Sequence, residues 1–385
     1  EVMIDQKSFW RCWLCTGLNI MKPLVLEKYN LKEFEFSQTY NFFFDQLEKS
    51  NLFLEGIIAT RNKTENDRSV EWFFKHPVSD GGQWTTFSDI VTKYGLVPKS
   101  AMPETYQSEK TSMMHRLIAR KLREDALKIR NMAADGKNLE EIREEKVDML
   151  AEIYRILVLS LGHPPQEFTW QYKDKDGNIS EELTFTPKEF YKQAIGWDLS
   201  EFVMFMNDPS REYEKLYEIE YDRNMLEGYN WKYINLENDR IKEFAKKSIM
   251  NNQGMYFSCD VGKQLEKDAG LLDPNNYDYH DLMGVQFGID KAGRIKTFES
   301  ASTHGMALIG VNINGEGAID KWLLENSWGE EAGNKGYLTM TDNWFDEYMF
   351  RIIIHKKYID DETLQILETE AVKLPPWDPM FAPEQ

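Results

Sequence analysis

The hydrophobic period of this chain changes at Gly254, and that change limits what it can fold into. After Gly254, short apolar runs cover residues 255–259, 284–289, 295–300, 306–313, 322–325, 337–340 and 350–354, with Gly and Asn/Asp turns between them. Such spacing predicts an antiparallel sheet with one solvated face. Before Gly254 the apolar residues recur at helical spacing. Ile118, Leu122, Ala126, Ile129 and Ala133 form one stripe, which Asp135-Gly136 breaks. Asn138 followed by Glu141 has the form of a capping box and opens a second stripe: Met149, Ile153, Leu157 and Leu161. Gly162-His163-Pro164-Pro165 stops it, so the two stripes predict a helical hairpin. Ser37 is placed to cap another helix through Tyr40 and Phe44 toward Leu54, its aromatic face inward. Residues 166–250 mix short strands and turns with a further helix over 238–250. The fold class is therefore α+β, a helical N-terminal part meeting a β-rich C-terminal part at a cleft.

Composition narrows the function. A chain of 385 residues, 42% hydrophobic and 13% aromatic, has ample material for a large core. It has no apolar run of membrane-spanning length and no secretory h-region. The 65 acidic against 46 basic residues give a formal charge of −19, a field that repels nucleic acid as a main partner. Cys12, Cys15 and Cys259 are too few for a disulfide framework, which suits a reducing, cytoplasmic compartment.

The stretch richest in chemistry is Gln6-Lys7-Ser8-Phe9-Trp10-Arg11-Cys12-Trp13. Cys12 opens an apolar run through Leu14, Leu18 and Ile20, which puts a thiol at the N-terminus of a buried helix. The helix dipole and its free N–H groups favour thiolate there. The Gln6 side-chain amide and the Cys12 backbone N–H together can make a two-donor oxyanion site. A nucleophilic thiol needs a base and an orienting group. His304 and Glu325-Asn326-Ser327-Trp328-Gly329 supply candidates for both, with Trp328 positioned to shield an Asn–His hydrogen bond from water. Asp80-Gly81-Gly82-Gln83-Trp84 is a turn whose bare backbone can pair with an extended peptide. Each signal has a plainer reading beside it: a free Cys is commonly a core residue, a lone His is commonly structural, and Gly81-Gly82 is a turn. Cys12-Trp13-Leu14-Cys15 also matches a redox or half-zinc pattern. No βαβ strand precedes it, and no second Cys pair exists to complete a zinc site. The first residue is Glu, and a nucleophile only twelve residues in leads us to expect a further upstream segment.

Taken together, Gln6…Cys12-Trp13, Asp80 to Trp84, His304 and Glu325 to Gly329 resemble the papain-like cysteine peptidases, in the chain order Cys…His…Asn. More narrowly, Glu33-Phe34-Glu35-Phe36-Ser37-Gln38, Asn207-Asp208-Pro209, Asp260-Val261-Gly262-Lys263 and Leu374-Pro375-Pro376-Trp377-Asp378-Pro379-Met380 resemble the bleomycin hydrolase and aminopeptidase C family, over essentially the whole chain. The resemblance implies Cys12 as nucleophile, His304 as general base and acid, Asn326 as its orienter and Gln6 as oxyanion donor. It implies a cysteine aminopeptidase acting on peptides through a thioester, without metal or cofactor, as a cytoplasmic homohexamer. Gly81, Gly82, Trp10 and Gln385 would contact substrate, with Trp13 and Trp328 supporting the site. Papain-like enzymes carry His and Asn about 130–150 residues after Cys. Here 292 residues separate Cys12 from His304, so about half of that gap is inserted structure. The expected organisation is a helical part over 1–104 carrying Cys12, a mainly helical insertion over 105–253, a β-rich part over 254–371 carrying His304 and Asn326, and an extended Pro-rich arm over 372–385. Phe9-Trp10 stands where the family has small residues. Trp10 would narrow the cleft or, in the alternative reading, obstruct it and leave a catalytically silent scaffold. A stiffer tail, Phe381-Ala382-Pro383-Glu384-Gln385, replaces the family's small-residue ending.

Overall fold

A computed structural model describes residues 11–380. The chain opens with α1 (Cys12–Lys28), whose residues from Trp13 to Lys22 are buried on every face, so this helix is interior. Helix α2 (Gln38–Thr60) starts as the cap predicts: Ser37 Oγ accepts the Tyr40 N–H at 3.1 Å. Three shorter helices follow, α3 (Arg68–Lys75), α4 (Trp84–Tyr94) and α5 (Tyr106–Glu109). The hairpin is α6 (Ser112–Ala134) and α7 (Leu139–Leu161), joined by a turn through Gly136. The Asn138 side chain accepts the Glu140 and Glu141 N–H groups, and the Glu141 side chain returns to the Asn138 N–H.

Beyond the hairpin lie β1 (Phe168–Trp170), β2 (Leu183–Phe185), α8 (Pro187–Ala194), β3 (Phe202–Met206), β4 (Lys215–Ile219), β5 (Lys232–Asn235) and α9 (Asn238–Met250). Then come β6 (Met255–Cys259), β7 (Leu265–Glu266), β8 (Leu271–Leu272), α10 (Tyr279–Met283), α11 (Lys291–Lys296), β9 (His304–Ile313), β10 (Ile319–Glu325) and β11 (Tyr337–Thr341). Helix α12 (Asp342–Tyr348), β12 (Met349–His355), α13 (Asp361–Gln365) and β13 (Val372–Leu374) complete the order. Among the described residues, β1 and β2 pair with each other, and the other eleven strands form one sheet in the order β13-β4-β5-β3-β12-β6-β9-β10-β11-β8-β7.

From β3–β12 through β10–β11 the pairing is antiparallel; β13–β4, β5–β3 and β8–β11 are parallel. Strands β3, β4 and β5 precede Gly254 yet lie in the same sheet as β6 to β12. The helical and β-rich parts of the chain are thus interleaved in space. The strands expected over 284–289 and 295–300 are absent. Val285, Phe287 and Ile289 alternate as a strand would but lie exposed with no partner strand. Asp290 then accepts the Gly293 N–H at 2.7 Å and starts α11 instead. The side-chain cap outcompeted a short apolar run.

One core fills the space between α1, α2, α4, α6 and α7 and one face of the sheet, including Tyr256, Ala307, Phe350 and Ile353. The opposite face, with Phe257, Met306, Leu308 and Ile352, packs on Ile241 and Phe244 of α9 and on Trp344 and Phe345 of α12. Period-2 alternation along β6, β9 and β12 sends neighbouring residues to the two cores, which fixes their register. Helix α1 lies against β9, so the first residue of α1 and the first residue of β9 come into one neighbourhood.

Candidate active site

Cys12 is the first residue of α1 and is partly buried. Before it, Arg11 is fully buried and turns its guanidinium to the Ser108 carbonyl (2.8 Å) and the Glu104 carboxylate (3.2 Å), over the Phe42 ring. Burial pushes the Glu104 carboxyl up, but Arg11 and hydrogen bonds from Ser108 and Thr39 outweigh it and hold the group below its ordinary range. The start of α1 is thus bolted to the segment between α4 and α6.

Two contacts lay α1 along the strands that carry His304 and Asn326. Thr16, one turn after Cys12, meets Gly305: a Cβ built on Gly305 would stand 3.2 Å from Thr16 Oγ1. Further along, the buried Lys22 ammonium lies 3.8 Å from the Glu325 carboxylate, the residue before Asn326. Cys259 pairs with His304 across β6 and β9, and burial, then Asp260, then Cys12 push its thiol well above the ordinary value.

His304 is buried at the start of β9. Its Nε2 lies 2.8 Å from Asn326 Oδ1, which also accepts the Ser327 N–H at 2.8 Å. An amide oxygen has no proton to give, so Nε2 carries the ring hydrogen and donates, which leaves Nδ1 with the lone pair in the neutral ring. Trp328 stacks on the imidazole with centroids 4.9 Å apart and planes 28° apart. Burial pushes His304 down to about 4, although the bond to Asn326 pulls the other way. The ring is therefore neutral at pH 7.

The glycine loop forms the wall beside α1. Trp13 Nε1 donates to the Asp80 carbonyl at 2.8 Å, and a Cβ on Gly82 would lie 2.7 Å from the Trp13 indole, so only glycine fits. Lys49 of α2 donates to the Gly81 carbonyl at 2.6 Å, the Ser79 carbonyl at 3.0 Å and the Asp45 carboxylate at 2.8 Å. The Asp80 carboxylate takes Thr111 Oγ1 at 2.5 Å and His115 Nε2 at 2.6 Å. Three consecutive carbonyls, of Ser79, Asp80 and Gly81, thus point into the protein. Among the described residues nothing hydrogen-bonds the Gly82 N–H or C=O, which stay available for another backbone. Gln83 closes the loop by donating to Asp222 at 3.0 Å.

Cys12-Trp13 and the Gly81-Gly82 loop form one set of contacts and His304, Asn326 and Trp328 another, and the approach of Thr16 to Gly305 lays the helix of the first set along the strand of the second. Gln6, Phe9, Trp10 and Gln385 lie outside the described residues. Cys15 faces away: its Sγ meets Gln38 Oε1 at 3.2 Å, and burial drives its thiol far above the ordinary value. Lys49, Thr111, His115 and Asp222 were not read from the sequence. Lys49 and His115 sit on helices with ordinary charge patterning, and only the fold brings them beneath the loop.

A helix opened by cysteine, packed on a sheet whose strands present a histidine bonded to asparagine, is the arrangement of the papain-like cysteine peptidases. The family model described as the Peptidase C1-like family matches residues 1–381, and the chain belongs to that family. It is 40% identical to aminopeptidase C of Listeria monocytogenes over 379 residues, 98% of this chain and 85% of that one. It is 40% identical to the bleomycin hydrolase of Homo sapiens over 387 residues, with the same coverage of 98% and 85%. The crystal structure of PepW from lactobacillus rhamnosis superposes with a TM-score of 0.95 at 39% identity, covering 98% of this chain and 86% of that one. The chain is a cysteine peptidase, and its substrates are peptides. Among the described residues no helix is long and apolar enough to cross a membrane.

Proposed function

We propose that the protein is an aminopeptidase in which Cys12 is the nucleophile, His304 the general base and acid, Asn326 its orienter and Gln6 an oxyanion donor. The observation that carries this is the buried, Trp328-covered His304–Asn326 pair at the head of the strand on which α1 lies. The lone pair on His304 Nδ1 takes the Cys12 thiol proton, and the sulfur attacks the scissile carbonyl. The resulting oxyanion is received by the Cys12 backbone N–H and the Gln6 amide. The tetrahedral adduct collapses as the imidazolium returns the proton to the leaving amine, leaving a thioester. A water molecule, deprotonated by the same imidazole, then attacks the thioester, and the carboxylic acid leaves as the thiol is reprotonated. Gly82, set in place by the Lys49-held Gly81, presents free backbone to the substrate, and Trp10 borders the pocket of the residue before the scissile bond. Restriction to free N-termini comes from the C-terminal arm, in which Gln385 would contact the substrate.

Relatives named aminopeptidase C and bleomycin hydrolase support this reading. The resemblance also leads us to assign a homohexamer, tested by the mass of the particle in solution. Three cysteines, too few for a disulfide framework, support a cytoplasmic, reducing location. Cys12→Ser and His304→Ala should each abolish release of the amino acid from small amino-acid amides. Full activity of either purified variant would contradict the assignment.

A further inference from the structure

The connection between β4 and β5, residues 220–231, brings two polar side chains to the glycine loop from outside it. Its neck is closed by backbone: the Ile219 N–H meets the Trp231 carbonyl and the Trp231 N–H meets the Asp222 carbonyl, both at 2.9 Å. Beyond the neck the connection follows α4 from its first turn to its last. Asn224 donates to the Thr86 carbonyl at 3.3 Å, the Tyr229 N–H reaches the Asp89 carboxylate at 3.3 Å, and Glu227 pairs with Lys93. Helix α4 begins at Trp84, directly after Gln83, so a strap along α4 also fixes where the glycine loop ends. Both ends of that loop are held from the strap. At the far end Asp222 Oδ2 accepts Gln83 Nε2 at 3.0 Å, the single hydrogen bond of the Gln83 side chain among the described residues. At the near end the fully buried Asn224 donates its amide to Asp45 Oδ1 at 3.2 Å. Asp45 Oδ2 in turn holds the Lys49 ammonium, which grips the Ser79 and Gly81 carbonyls. Burial pushes the Asp45 carboxyl up, while Lys49, Asn224 and Gln46 oppose it, so this carboxylate depends on all three partners. Gly82 lies between the two holds with its own N–H and C=O unbonded among the described residues.

We propose that Asp222 and Asn224 are positioning residues: acting through Gln83 and through Asp45–Lys49, they aim the Gly82 N–H and C=O at the backbone of the bound peptide. This rests on the reading above that Gly82 meets the substrate. A glycine has no side chain to wedge it, so its peptide planes take their direction from the residues on either side. The aim matters because an N–H···O bond weakens steeply once its angle falls below about 120°. What Gln83 needs from residue 222 is an acceptor, and an amide oxygen supplies one as a carboxylate does.

The test measures kcat and KM for a tripeptide in the full chain and in Asp222→Ala, Asp222→Asn and Asn224→Ala. Beside them it measures the rate at which iodoacetamide, which has no peptide backbone to pair with Gly82, alkylates Cys12. Asp222→Ala should raise KM about threefold to tenfold, the range one lost hydrogen bond corresponds to, with kcat and the alkylation rate within about twofold of wild type. Asp222→Asn, which still offers Gln83 an oxygen, should restore KM. Asn224→Ala should raise KM as Asp222→Ala does; should it fail to fold, Gln83→Met breaks the Asp222 bond from the loop side and should give the same split. Wild-type KM in folded Asp222→Ala overturns the positioning role, as does a fall in kcat and alkylation rate together with the rise in KM. An Asp222→Asn variant as impaired as Asp222→Ala overturns it too. Full activity of Cys12→Ser overturns the reading of the site itself, whereas an inert Cys12→Ser beside an unchanged KM in Asp222→Ala overturns the positioning alone.

Discussion

At the scale of single residues, the site depends on what a burial does to each group. His304 loses solvent to the sheet and to Trp328, which disfavours its charged form and brings it to about 4. A base whose ionisation is that low accepts a proton at neutral pH and stops only when acid protonates it. Below about pH 4 the imidazolium cannot take the Cys12 proton, so activity is lost as pH falls through that value and retained above it. The acid limb of kcat/KM should therefore lie near pH 4, measured with an aminoacyl amide in buffers of constant ionic strength; a limb near 6.5 would show a solvated imidazole. Gly82 is constrained differently, by space. Gly82→Ala drives a methyl group into the Trp13 indole at 2.7 Å, and this overpacking should cost about 1–3 kcal/mol in denaturant unfolding. An unchanged midpoint would mean that the loop moves aside freely.

At the scale of elements, local chemistry was legible wherever a side chain supplied its own signal. The Ser37 cap, the Asn138–Glu141 capping box and the 238–250 helix all stand as the sequence implies, since each is fixed by residues within a few positions. Residues 284–300 were misread because Val285, Phe287 and Ile289 carry a strand's alternation without a neighbour to pair with, and Asp290 offers a helix cap that needs no neighbour. Strands β3 to β5, before Gly254, share one sheet with strands after it, because membership of a sheet is decided by long-range pairing. Lys49 belongs to the same class of hidden feature. It joins α2 to the glycine loop through two carbonyl oxygens, of Ser79 and Gly81, and Asp45, one turn before it on α2, is completely buried. Lys49→Met should remove one partner of that pair, destabilise the chain by up to about 3 kcal/mol and raise KM through a looser loop. Equal KM with lost stability would confine Lys49 to a structural role.

At the scale of the whole molecule, one sheet with a core on each face holds the chemistry rigidly. Helix α1 is interior from Trp13 to Lys22, so Cys12 is held at the head of a tightly packed helix, and β9 and β10 are central strands, so His304 and Asn326 are held by the sheet. Cys12, His304 and Asn326 are legible in the sequence as candidates from their types, their neighbours and their order. The supporting frame is not, because Arg11 and Lys22 reach partners about a hundred to three hundred residues away. The same frame sets the three thiols apart. Cys15 and Cys259 are fully buried and driven well above their ordinary values, whereas Cys12 is partly exposed at a helix N-terminus. Reaction of the intact protein with an epoxide cysteine-protease inhibitor, followed by peptide mapping by mass spectrometry, tests that distinction directly. The account predicts one adduct per chain, on Cys12, formed near neutral pH and absent from His304→Ala. Modification of Cys15 or Cys259 in its place, or no adduct at all, would contradict a nucleophilic Cys12.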